Sequence, residues 1–227
     1  MGRAIILLSL LFVLALSFSC DRRGYTVEGV VAHGYFNGDS VYVKSLSNDV
    51  PAVVASGVVE RGRFMLSGSA DSVYMAMLYV SQTPVVPLVL EPGRITVSLE
   101  NGGVSVGGTP LNAGLASFLA VKDSIDTYLA GILRKEARML IDGVLADEAR
   151  YVIEREFGDA VNSAEMYVDS FVRSHHDDVL GPFVFGLYCS GMNYDMLPLR
   201  MKSLLDDSPE IFRRNPLLKP FSSTYDR

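Results

Sequence analysis

The stretch from Pro87 to Leu111 constrains this chain more than any other. Leu88 and Leu90, then Ile95, Val97 and Leu99, then Val104 and Val106 alternate with other side chains around two turns, Pro92-Gly93 and Asn101-Gly102-Gly103. That is the period-two signature of paired strands. Thr109-Pro110 then reads as an N-cap followed by proline at the first helical position, where its missing N–H costs nothing. Apolar spacing switches straight afterwards from two to about 3.6. One short segment therefore closes an all-β half and opens an all-α half.

Upstream, strand-like runs at Tyr25 to Ala32, Ser40 to Lys44, Ala52 to Val58, Arg63 to Ser67 and Ser72 to Val80 are separated by turn signals at Asn37-Gly38-Asp39, Arg61-Gly62, Gly68 to Asp71 and Gln82-Thr83-Pro84. Around eight short strands predict an antiparallel β-sandwich or barrel, with Phe64 and Leu66 facing in beside Val41 and Val43, and Tyr42 and Lys44 facing out. Tyr74, Met75, Met77 and Tyr79 form an aromatic and sulfur-rich strand expected to be partly covered on both faces rather than a binding surface. Downstream, Leu111, Leu115, Phe118, Ile125, Leu129 and Ile132 keep helical spacing up to Asp142-Gly143. A second long helix follows from about Leu145 to His175 through Ala149, Ile153, Phe157, Ala160, Ala164, Val168 and Phe171. Short helices are expected from Gly181-Pro182 to Ser190, from Met196 to Leu205, and after Ser208-Pro209-Glu210. The expected fold class is α+β, a sandwich or barrel with an α-helical segment packed beside it. Its parts are a signal peptide over 1–19, a tether over 20–24, the β domain over 25–109, the helical region over 110–214 and an extended tail over 215–227.

The N-terminus carries an address. Arg3 and the terminal amine precede an apolar run from Ala4 to Phe18, too short to span a bilayer comfortably and shaped like a secretory signal. It ends in Leu16-Ser17-Phe18-Ser19-Cys20, similar to a lipoprotein signal, although Ser17 and Phe18 depart from the tightest form of that pattern. Cys20 is the expected lipidation site, its thiol taking a diacylglyceryl group. The alternative is an ordinary signal peptide cut nearby that leaves Cys20 free. At about 0.8 kcal/mol per buried methylene, two or three acyl chains hold a protein on a membrane without any transmembrane helix. The expected location is the cell envelope, with the outer membrane favoured over the inner one. The only other cysteine, Cys189, lies in an apolar helical run and reads as an inert core thiol.

Chemistry-bearing clusters are few. Net charge is −6, becoming −7 once Arg3 leaves with the signal peptide, and the basic residues are scattered, which argues against a nucleic-acid partner. His175-His176-Asp177-Asp178 groups metal-type ligands, but neighbouring helical positions point about 100° apart, so a solvated helix end is expected instead. His33 stands alone near a strand end. Ser190-Gly191 lacks the leading glycine of a nucleophile elbow and is expected inside. The glycines from Gly102 to Gly108 have no following Lys-Ser or Lys-Thr and read as hairpin turns rather than a phosphate loop. Asp147-Glu148 and Asp206-Asp207 read as surface charge at helix ends. Neither a catalytic centre, nor a metal, nor a cofactor is expected.

Val27-Glu28-Gly29-Val30-Val31, Gly38 to Val43, Gly62-Arg63-Phe64-Met65-Leu66-Ser67-Gly68, Leu90-Glu91-Pro92-Gly93-Arg94-Ile95-Thr96-Val97 and Val106-Gly107-Gly108-Thr109-Pro110-Leu111-Asn112 resemble an envelope lipoprotein domain of unknown function. In many Bacteroidetes-type proteins that domain precedes a thioredoxin-like module. The likeness spans about residues 25 to 125, and the part to about Phe221 resembles the segment joining domain and module. A Cys-x-x-Cys pair, which the longer relatives carry, occurs nowhere in this sequence, so no redox residue transfers. The lipid anchor at Cys20 and the lack of a chemical site lead to the expectation of a non-catalytic, membrane-anchored module that binds an envelope protein partner or an unidentified ligand. Two alternatives stand behind it: an accessory half of a thioredoxin-like thiol-disulfide system whose redox module is missing or separate, and an enzyme in its own right.

Overall fold

The computed structural model describes residues 24–32, 37–46, 51–69, 71–100 and 103–221. The signal peptide, Cys20 and its tether as far as Arg23, His33, the 101–102 turn and the end of the expected tail lie outside the described residues. Eight strands come first: β1 (Gly24–Val31), β2 (Ser40–Ser45), β3 (Val53–Val58), β4 (Arg63–Ser69), β5 (Tyr74–Val80), β6 (Thr83–Leu90), β7 (Gly93–Glu100) and β8 (Gly103–Gly107). They form two four-stranded sheets, ordered β4-β1-β7-β8 and β3-β2-β5-β6. Inward side chains of both sheets share one apolar core, with Val27, Phe64, Leu66, Ile95 and Val97 from the first and Val41, Val43, Leu78, Leu88 and Leu90 from the second. The fold is an α+β sandwich with helices packed on it.

Two details depart from the expected β half. β1 and β7 run parallel, Val27 opposite Ile95 and Gly29 opposite Val97, so the first sheet is mixed. Alternation along a strand identifies its buried face but not the direction of its neighbour. The β5–β6 hairpin turns at Ser81-Gln82 with Val80 opposite Thr83, so Pro84 and Pro87 lie inside β6 rather than before it. They are tolerated because β6 is an edge strand, where a residue without an N–H need not break a ladder. On β5, Met75 is buried and Tyr74, Met77 and Tyr79 are half-buried, while Lys44 Nζ sits 4.4 Å over the Tyr79 ring on the outer face.

The helices are α1 (Pro110–Ile141), α2 (Ala146–Ser174), α3 (Leu180–Tyr188), α4 (Leu199–Asp207) and α5 (Glu210–Arg213), with 3-10 turns at Tyr194–Met196 and Pro216–Phe221. No described helix is long and apolar enough to cross a membrane. α1 and α2 form a long hairpin with two unlike ends. Near the sandwich, Leu115 and Phe118 of α1 and Val168 and Val172 of α2 join the common core. Phe118 stacks on Tyr167 at 5.8 Å and lies 5.0 Å from Phe171. Far from it, Ile132, Ile153 and Ala160 form a small separate cluster, and Ala149 of α2 is also buried. Of the apolar stripe expected on α1, Ile125 and Leu129 are therefore only half-buried, and Phe157 of α2 is 40% exposed. The stretch after Asn215 is not extended: its 3-10 turn buries Leu218 and Phe221, the latter edge-on to Phe185 of α3 at 5.4 Å.

Candidate functional site

Two places combine polar groups with a defined geometry. One is the junction where the sheet hands over to α1. Thr109 has the extended backbone of an N-cap, but its side chain does not cap the helix. Glu91, from the turn between β6 and β7, does so from 20 residues away: its Oε1 accepts from the N–H of Leu111 at 2.9 Å and of Asn112 at 3.2 Å. A carboxylate there meets the orphan donors and the positive end of the helix dipole together. Asn112 completes the junction. Its Oδ1 accepts from the Val89 N–H at 2.9 Å and its Nδ2 donates to the Val89 carbonyl at 2.8 Å, so one side-chain amide pairs with the free edge of β6 as a neighbouring strand would. Nδ2 also donates to Thr109 Oγ1 at 2.8 Å. Glu91, Thr109 and Asn112 are all buried, and each has its partners within the cluster.

This junction explains several motifs. Gly108 has φ +91 and a Cβ there would lie 2.3 Å from the Arg94 carbonyl, so only glycine lets β8 turn over β7 into α1. Gly29 is needed for another reason: the Phe64 ring of the neighbouring strand lies over its Cα, and a Cβ would sit 2.0 Å from that ring. The buried carboxylate before Pro92-Gly93 and the asparagine at the third helical position carried the signal for this cluster, but only folding brings the two together.

The second place is a groove of about 700 Å³ over the outer face of the β4-β1-β7-β8 sheet. Glu28, Val30, Arg63, Met65, Thr96 and Ser105 line it, and it runs out past Val58 and Glu60 at the β3–β4 corner. Met65 is 68% exposed and Val30 is also exposed. Glu28 pairs with Arg94 at 3.4 Å beside the groove. The mixture of apolar, hydroxyl and charged side chains on a strand-built floor suits an extended or amphipathic ligand rather than a deeply enclosed small molecule.

The clusters singled out in the sequence take structural roles. His175 ends α2; its Nδ1 lies 2.7 Å from Asp178 Oδ2 and its ring stacks on Phe171 at 4.4 Å. Asp178 Oδ1 accepts from the Leu180 N–H at 2.8 Å at the start of α3. His176 turns to the Arg173 carbonyl instead, so the two imidazoles do not converge. Among the described residues no group of three or more His, Cys, Asp or Glu side chains could hold a metal ion. Ser190, expected inside, is exposed in the turn after α3, and the described histidines bond elsewhere. Gly103 to Gly107 form β8, paired antiparallel to β7. Asp147 and Glu148 occupy the first turn of α2, and Asp206 accepts from the Tyr194 hydroxyl at 2.9 Å. Cys189 is fully buried; burial, with Glu165 nearby, pushes its thiol up to about 12, far from a reactive thiolate.

Residues 25–115 match the profile of a domain of unknown function (DUF4369). The match extends past the last strand into α1 and includes Glu91, Gly108, Thr109 and Asn112. No curated protein matches the chain.

Proposed function

We propose that this chain, whose residues 25–115 carry that domain of unknown function, is a non-catalytic module tethered to an envelope membrane by acyl chains on Cys20, and that it binds a partner protein through the groove over the β4-β1-β7-β8 sheet. The groove is the observation that carries the binding half: an exposed floor of mixed chemistry on the outer face of the β4-β1-β7-β8 sheet. The tether rests on the run from Ala4 to Phe18 ending at Cys20. Labelled palmitate should enter the wild-type chain and not Cys20→Ala; equal labelling of both overturns the tether. A photo-crosslinker at position 65 in intact envelopes should capture one reproducible protein that a crosslinker at Tyr128, far out on the helical hairpin, does not. Identical capture patterns from both positions would remove the groove from the reading.

A further inference from the structure

The far half of α1 carries a second apolar seam that α2 does not use. Ile132 and Met139 turn toward α2, whereas Ala130, Leu133, Ala137 and Leu140 recur at spacings of three and four on another side. Leu133 is 58% exposed and Leu140 48%, and Ile141 beside them is 84% exposed. Alternating steps of three and four are the pattern of a helix that pairs with another helix.

We propose that this seam packs against the same seam of a second copy of the chain, the two α1 helices antiparallel about a twofold axis near residue 135. Three observations select that occupant. First, the seam is complementary to itself in that register: Ala130 faces Leu140 of the other copy and Leu133 faces Ala137, so every layer sets a small side chain against a large one. A parallel pairing would stack alanine on alanine and leucine on leucine, leaving alternate gaps and crowding. Second, α1 is bound into the sandwich at its N-terminal end through Leu115 and Phe118. Antiparallel pairing therefore carries the two sandwiches to opposite ends, where parallel pairing would force them side by side. Third, the far half of α1 buries Ile132 alone, against Ile153 and Ala160 of α2, and a pair of hairpins makes a four-helix bundle that covers the remaining apolar surface. An interface of this kind is isologous, each seam meeting its own image.

The same symmetry sets Arg134 beside its mate on one flank and Glu136 beside its mate on the other. The pairing therefore rests on apolar contact and should tighten with added salt.

The test uses the full chain in density-matched detergent. Sedimentation velocity should show a dimer, held more tightly at 500 mM than at 50 mM salt, a range of roughly threefold in screening length. Leu133→Glu and Leu140→Glu should each weaken association at least tenfold while leaving the circular dichroism and the unfolding midpoint of the monomer unchanged. A monomer at all concentrations, a dimer indifferent to both substitutions, or one loosened by salt overturns the proposal. A disulfide readout covers the case in which a glutamate disturbs the helix. Leu133→Cys chains mixed with Ala137→Cys chains should crosslink to each other faster than Leu133→Cys chains crosslink among themselves, and the reverse order overturns the antiparallel register.

Discussion

The two ends of the α1–α2 hairpin are built from the same two helices and differ in what lies behind them. At the near end the sandwich supplies a third surface, and Phe118, Tyr167 and Phe171 interlock over it. At the far end each helix has only the other, and the far half of α1 buries Ile132 alone. Helical periodicity is equally good in both. Stability in such a hairpin comes from the surface it covers rather than from the pattern alone.

Substitutions can press on that contrast. Phe118→Ala should cost most, about 3–5 kcal/mol in urea unfolding, because it empties a site at the meeting of both helices and the sandwich. Asn112→Ala follows at about 2–4 kcal/mol, since the buried Val89 N–H and carbonyl each lose a partner at roughly 1–3 kcal/mol. Asn112→Asp should be worse still at pH 7, with a second carboxylate set against Glu91, now 3.3 Å from Nδ2. At the far end Ile132→Ala should cost less, about 2 kcal/mol, the low end for a buried isoleucine whose surroundings can collapse. It should also speed amide exchange in residues 125–155 without touching the sandwich; global exchange of the sandwich amides would show that the two ends are one cooperative unit.

Alkali gives a smaller lever on the near end. Above about pH 9 the unfolded chain ionises Cys189 while the folded thiol keeps its proton until about 12, so the unfolded state binds fewer protons and stability falls as pH rises. Unfolding midpoints at pH 8 and pH 10.5 should show this decline, and Cys189→Ala should make it shallower, with half-buried tyrosines such as Tyr188, pushed up to about 12 by burial, carrying the remainder. Lys122→Ala, which removes an exposed pair with Asp126, should change stability by no more than a few tenths of a kcal/mol.

Much of the architecture is legible in the sequence because it is local. The strands around the early turns, the switch at Thr109-Pro110, the break at Asp142-Gly143 and the short apolar helix before Cys189 all follow from neighbours in the chain. What escapes is set by distant partners. The parallel match of β1 to β7 spans about 68 residues of sequence and leaves no mark on either strand alone. Pro84 and Pro87 look like breakers unless β6 is known to be an edge. Phe157 keeps the α2 spacing yet faces out, because the hairpin has left the sandwich by that level. The same holds at the junction: Thr109 was readable as a cap position, but the group that caps is Glu91, on the far side of two strands.

Asn112 has a consequence for how such a module can travel between genes. The β half ends at Gly107, but the Val89 N–H and carbonyl on the edge of β6 are paired by a side chain at the third position of the next element. Any ancestral fusion that kept the strands and swapped whatever followed would have had to inherit the opening turn of α1 as well, or export a sheet with one raw border.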